Sequence, residues 1–159
     1  MLNWTSEILA DPELGLGQVA EIVAKQMEVT GVKGTCRVSI LKGDGSHNNS
    51  VVSSSFSTEI IVKDEEGNRY NTMGLVAGKE ARGWREAGGD KGLSSDDVLA
   101  GESPYFGWSS FSLTPTHILI ATYSGGKEDQ DIAAACEAVR LAERRLDFLR
   151  NKHQNNLTS

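Results

Sequence analysis

The chain has 159 residues, long enough for one domain with its own core. Hydrophobic residues make up 38% and charged residues 24%, the profile of a soluble globular protein rather than a disordered or membrane chain. The net charge of −6 speaks against nucleic acid as a partner, because phosphate neutralisation needs clustered cations. The densest basic cluster, Arg140, Arg144, Arg145 and Arg150, is interleaved with Glu137, Glu143 and Asp147 and reads as a solvated helix face.

No apolar run is long enough to cross a bilayer, so no membrane partner is expected. The N-terminus has neither a basic n-region nor an apolar h-region, so no secretory signal is expected, and the sequons at Asn3, Asn48 and Asn156 read as chance matches. Cys36 falls in a strand pattern and Cys136 in a helix pattern, without CxxC spacing. Two buried, reduced thiols are expected in preference to a disulfide, and with them a reducing, cytoplasmic compartment. Residues 1–159 read as a single domain, with 1–10 and 152–159 frayed.

In chain order, Asp11 and Pro12 signal a helix start as N-cap and first helical residue. Leu16, Val19, Val23 and Met27 then recur at helical spacing, and Gly31 ends the segment. Gly15 and Gly17 weaken the first turn, so the regular helix is placed later. In "GTCRVSIL", Cys36, Val38 and Ile40 alternate with Arg37 and Ser39, which predicts a half-buried strand. "VVSSSFSTEIIVKD" predicts one long strand or two short ones, and the turn at Gly67 and Asn68 a hairpin. "TMGLVAGKEARGWREAGG" reads as a glycine-weakened helix with Leu75, Ala81 and Trp84 turned inward. A short helix capped by Ser94 or Ser95 is expected inside the loop-like stretch 88–104. "YFGWSSFSL" and "THILIATYS" predict two strands joined at "TPT". From Glu128 to Arg150, Ile132, Ala135, Val139, Ala142, Leu146 and Leu149 form one helical stripe, with Leu141 and Phe148 as a second strip facing another helix or a second subunit. This order predicts an α+β fold, a mostly antiparallel sheet with helices packed on it.

The junction "YSGGKEDQD" has the glycines and helix start of an anion site, but Glu128, Asp129 and Asp131 crowd the same turn. Those carboxylates are expected to satisfy the helix dipole and cap its N–H groups, leaving a self-capped turn. "SGGKEDQDIAAACEAV", residues 124–139, resembles the C-terminal signature of the heme-binding GlcG/HbpS-like family: a strand running into Ser-Gly-Gly, two variable residues, an acid-Gln-acid group and an alanine-rich helix. Here the matching residues are Ser124, Gly125, Gly126, Asp129, Gln130 and Asp131. The strand before the signature, "THILIATY", departs from the family's glycine-rich one. The resemblance implies a profilin-like α-β-α sandwich, homo-oligomers, and heme or a related tetrapyrrole as ligand; relatives are linked to heme degradation or corrinoid metabolism.

Heme iron is held by His, Cys, Met or Tyr, and His117, opening an apolar strand, is the candidate axial ligand; a structural or exposed histidine is the plainer reading. Tyr105, Phe106, Trp108 and Phe111 place four of the ten aromatic residues within seven positions. With Trp84 they suit a flat apolar pocket, or else the core of one strand. Asp96 and Asp97 read as cap and solvation, not as acid/base catalysts. The leading expectation is a small-ligand-binding protein. An enzyme with a mobile lid over 88–108, motivated by Gly88, Gly89, Gly92, Gly101 and Gly107, and a structural oligomer are the alternatives.

Overall fold

The structure, a computed structural model, describes residues 6–43, 50–89 and 98–158. The helices are α1 (Ser6–Leu9), α2 (Leu16–Val29), α3 (Thr72–Trp84) and α4 (Glu128–Thr158), with a 3-10 turn at Pro12–Leu14 and a π turn at Arg85–Gly89. The strands are β1 (Thr35–Lys42), β2 (Ser50–Phe56), β3 (Ile61–Lys63), β4 (Arg69–Asn71), β5 (Trp108–Thr114) and β6 (His117–Ser124). Four strands form one antiparallel sheet in the order β2-β1-β6-β5, while β3 and β4 make a separate hairpin. The expected α+β sandwich is what the chain forms, with α2 and α4 on one face of the sheet and α3 on the other.

Strand alternation assigns the two faces. Cys36, Val38, Ile40, Leu119, Ala121 and Tyr123 enter the main core beneath α2 and α4. Leu41 and Ile120 point the opposite way and meet Trp84, with Trp108 and Ile118 packed against them. β1 is therefore buried on both faces and not half-buried as its alternation predicts, because α3 covers the second face. Each fully buried Leu or Val contributes about 1.5–3 kcal/mol, so the helices are held mainly by this packing.

Asp11 caps the 3-10 turn, accepting from the Glu13 amide at 2.8 Å, and the regular helix starts at Leu16, as the early glycines implied. α3 differs from its expected pattern: Leu75 and Ala81 are only half-buried, whereas Val76, Lys79, Glu80 and Arg82 are buried. Two of its three glycines, Gly78 and Gly83, are contact points, while Gly74 faces open space. A Cβ on Gly83 would stand 2.7 Å from Ile120 Cδ1 and 2.8 Å from Trp108 Cδ1, so glycine lets the helix lie close on the sheet.

Within the stretches expected to be frayed, residues 6–10 and 152–158 carry structure. α1 buries Ile8 and Leu9 in the main core, and α4 continues to Thr158. His153 Nε2 meets Asp11 Oδ2 at 2.9 Å and Lys152 Nζ meets Glu13 Oε2 at 2.8 Å, tying the late turns of α4 to the first segment. On the α4 stripe Ala135, Val139, Ala142, Leu146 and Leu149 are buried as expected, but Ile132 is exposed and Asp131 takes the inward place. Both cysteines are free, yet only Cys36 is buried; Cys136 lies on the outer face of α4. Among the described residues no helix is long and apolar enough to cross a membrane.

Candidate functional site

The Ser-Gly-Gly junction is self-capped. Gly126 N donates to Asp131 Oδ1 at 2.9 Å, Lys127 N donates to Gln130 Oε1 at 2.9 Å, and Asp131 N donates to the Lys127 carbonyl at 2.9 Å. Two of the amides an anion could use, those of Gly126 and Lys127, are thus occupied. Asp131 turns inward because Lys79 waits there: Lys79 Nζ donates to Asp131 Oδ2 at 3.1 Å and to the Tyr123 carbonyl at 2.8 Å. Their side chains are 1% and 6% exposed. Burial is the larger effect on each, pushing the Lys79 ammonium down and the Asp131 carboxyl up, while each partner's charge pulls the other back toward its ordinary value.

Gly107 closes over this pair. Its φ is +145°, and a Cβ there would lie 2.7 Å from the Tyr123 carbonyl oxygen and 2.8 Å from Lys79 Nζ. Its carbonyl accepts from Tyr123 N at 2.9 Å, which fixes the crossing point. Just before it, Phe106 stacks on Trp108 with ring centroids 5.0 Å apart, and the Arg82 guanidinium stands 4.4 Å over the Phe106 ring.

Above the junction opens a cleft of about 290 Å³. Val62, Lys63, Asp64 and Tyr70 of the β3–β4 hairpin form one wall, and Leu75 and Lys79 of α3 a second. Tyr105, Phe106, Ser124, Gly125, Gly126, Glu128 and Asp131 complete it. Asp64 holds the hairpin turn by accepting from the amides of Glu66 at 2.9 Å and Asn68 at 2.8 Å, from Asn68 Nδ2 at 3.1 Å, and from the Tyr70 hydroxyl at 3.0 Å. The bond to Asp64 pushes the Tyr70 phenol up.

Of the residues singled out from sequence, Tyr105, Phe106, Ser124, Gly125 and Gly126 come together on this cleft. Trp84 and Trp108 do not line it; they pack with Leu41 and Ile120 between the sheet and α3, though Phe106 links Trp108 to the cleft edge. Phe111 packs against the main core. His117 stands at the far end of β6, opposite Lys42, with Nδ1 3.1 Å from the Thr114 and Thr116 hydroxyls. The seven-residue span from Ser124 puts it roughly 23 Å from the junction at about 3.3 Å per residue. Burial and the Lys42 charge hold its imidazole below the ordinary histidine value.

Of the stretch 88–108, residues 90–97, with Asp96, Asp97 and the first half of the short helix expected over 94–101, lie outside the described residues, and its second half, 98–101, is not helical. Residues 98–107 are fastened to α3. Arg85 makes a bidentate pair with Glu102 at 2.7 and 2.8 Å, Ser103 N donates to the Gly78 carbonyl at 3.1 Å, and Arg82 Nη1 donates to the Pro104 carbonyl at 3.0 Å. Among the described residues no group of three or more His, Cys, Asp or Glu side chains is placed to hold a metal ion.

Sequence reasoning missed Lys79, Leu75, Tyr70 and Asp64 as cleft residues. The Asp64-to-Asn68 spacing around Gly67 was a legible turn signal, but nothing local said that the hairpin would fold over the end of β6. No family model and no curated protein matches this chain.

Proposed function

We propose that this chain is a small-molecule-binding domain whose ligand sits in the cleft between the β3–β4 hairpin and the β6–α4 junction. The observation that carries this reading is the convergence of Tyr70, Tyr105 and Phe106 with Leu75 on a cavity that ends in a fixed polar floor, Lys79 and Asp131. Apolar walls with a few placed polar groups are the usual make-up of a ligand site.

Heme or a related tetrapyrrole is the ligand that the resemblance at residues 124–139 favours, and this reading carries two conditions. The iron donors at the cleft are the phenols of Tyr70 and Tyr105, since among the described residues no His, Cys or Met lines it. At about 290 Å³ the cavity seats one edge of such a macrocycle, with the remainder outside. Hemin titration followed by its Soret band tests this. A saturable change abolished by Tyr105→Ala but kept in His117→Ala supports heme in the cleft. No change removes heme, and a fragment screen by chemical-shift perturbation of residues 124–126 then tests small-molecule binding itself.

Homo-oligomer formation is a second reading, favoured by Phe148, which is 64% exposed beside Ile22 on a groove between α2 and α4. Mass by light scattering of the native chain and Phe148→Glu tests it: a monomer in both cases removes it.

A further inference from the structure

The cleft has an electrostatic sign that its apolar walls do not reveal. Three carboxylates line it against two ammonium groups. Lys79 and Asp131 neutralise each other, and Asp64 is occupied by its four donors. The Glu128 side chain remains, exposed at the start of α4 and making no hydrogen bond among the described residues, although its charge also acts on Lys79. Two nearby backbone donors, Gly126 N and Lys127 N, are taken by Asp131 and Gln130. An anion entering from the junction side therefore finds carboxylates and no donor at the Gly126 and Lys127 amides; among the described residues that line the cleft, the exposed Lys63 is the one cation outside the buried pair. Tyr105, 57% exposed, and Tyr70 line the same cleft as Glu128. Aromatic faces next to a carboxylate are the recognition chemistry for an organic ammonium ion, whose charge is spread over carbon and is lightly hydrated.

We propose that the cleft selects a cationic small molecule, an ammonium group on an apolar or aromatic body, with the charge between Glu128 and the tyrosine rings. This rests on the cleft being the ligand site. It also gives the orientation of an anionic tetrapyrrole there: its carboxylates would have to lie outside, toward Lys63.

Benzyltrimethylammonium and benzoate, matched in ring and opposite in charge, are the probes, with chemical shifts of the 124–126 amides and hemin absorbance as readouts. The cation is expected to bind saturably and benzoate not to bind. Glu128→Gln is expected to weaken the cation at least about fivefold, the worth of one nearby charge plus its share of the ring contact. Asp129→Asn, one residue away but off the cleft lining, is expected to leave affinity within about twofold. Benzoate binding as tightly as the cation, or equal losses in the two variants, overturns the charge selection. Binding of hemin or benzoate without the cation overturns it too while leaving the ligand site intact. Silence from both probes and from hemin sinks the site and the inference together.

Discussion

Lys79 and Asp131, 52 residues apart in sequence, meet at 3.1 Å beneath Gly107 and join α3, β6 and α4 through one ammonium group. A charge so thoroughly removed from water is costly unless paired. Lys79→Met leaves Asp131 buried alone and is expected to destabilise the fold by about 3–5 kcal/mol, read from urea denaturation. Lys79→Met with Asp131→Leu is expected to recover most of that loss, since burial dominates both titration shifts and a packed apolar pair avoids the desolvation cost. A double variant as unstable as the single one would contradict this.

Gly107→Ala tests the closure above the pair. A side chain at φ +145° is strained, and its Cβ would press on the Tyr123 carbonyl and Lys79 Nζ. A loss of about 1–3 kcal/mol is expected, with the largest shift changes at residues 79, 123 and 131.

The Arg85–Glu102 pair sets a pH dependence. The bond to Arg85, first among the causes, holds the Glu102 carboxyl below its ordinary value of 4.5. The group's contribution is thus present above 4.5 and fades as pH falls through the lower folded value. Glu102→Gln is expected to flatten this part of the stability profile, and to speed amide hydrogen exchange over 98–107 at neutral pH. Unchanged exchange there would show that other contacts hold the loop.

The two thiols should differ sharply. Burial pushes the Cys36 thiol up to about 12, whereas Cys136 is exposed on α4. An aromatic disulfide reagent is expected to titrate one thiol quickly in the native protein and the second only in denaturant. Cys136→Ser should abolish the fast phase; a fast phase surviving in that variant would mean that β1 opens readily.

Leu146 lies in the main core with no exposed surface, so Leu146→Ala is expected to cost about 2–5 kcal/mol. Phe148→Ala, two residues on and mostly exposed, should change monomer stability by less than about 0.5 kcal/mol. Comparable losses in the two would show that the outer strip of α4 is covered in solution.

The elements with strong periodicity were legible. Leu16, Val19 and Val23 on α2, and Ala135 through Leu149 on α4, fall in the core as their spacing implies. α3 was not, because its inward residues are charged. Lys79, Glu80 and Arg82 are tolerated inside because Asp131 and the Tyr123 carbonyl, Arg37, and Glu86 with the Pro104 carbonyl meet them, mostly partners distant in sequence. The same gap misplaced Ile132, whose stripe position goes to Asp131. At the site, Ser124 to Gly126 and the pair Tyr105–Phe106 could be picked out from sequence, but His117 was drawn in by its apolar neighbours without regard to strand length. The hairpin that supplies Tyr70 and Asp64 reaches the cleft through tertiary placement alone.

Cys36 opposes Tyr123 in the pairing of β1 with β6, and this pairing runs the full length of both central strands. During synthesis, β1 therefore emerges long before its principal neighbour exists. Until residues 117–124 leave the ribosome, one side of β1 presents unsatisfied backbone groups and uncovered apolar side chains, an adhesive surface for other nascent chains. Cellular yield should accordingly depend on how fast the stretch between β1 and β6 is translated.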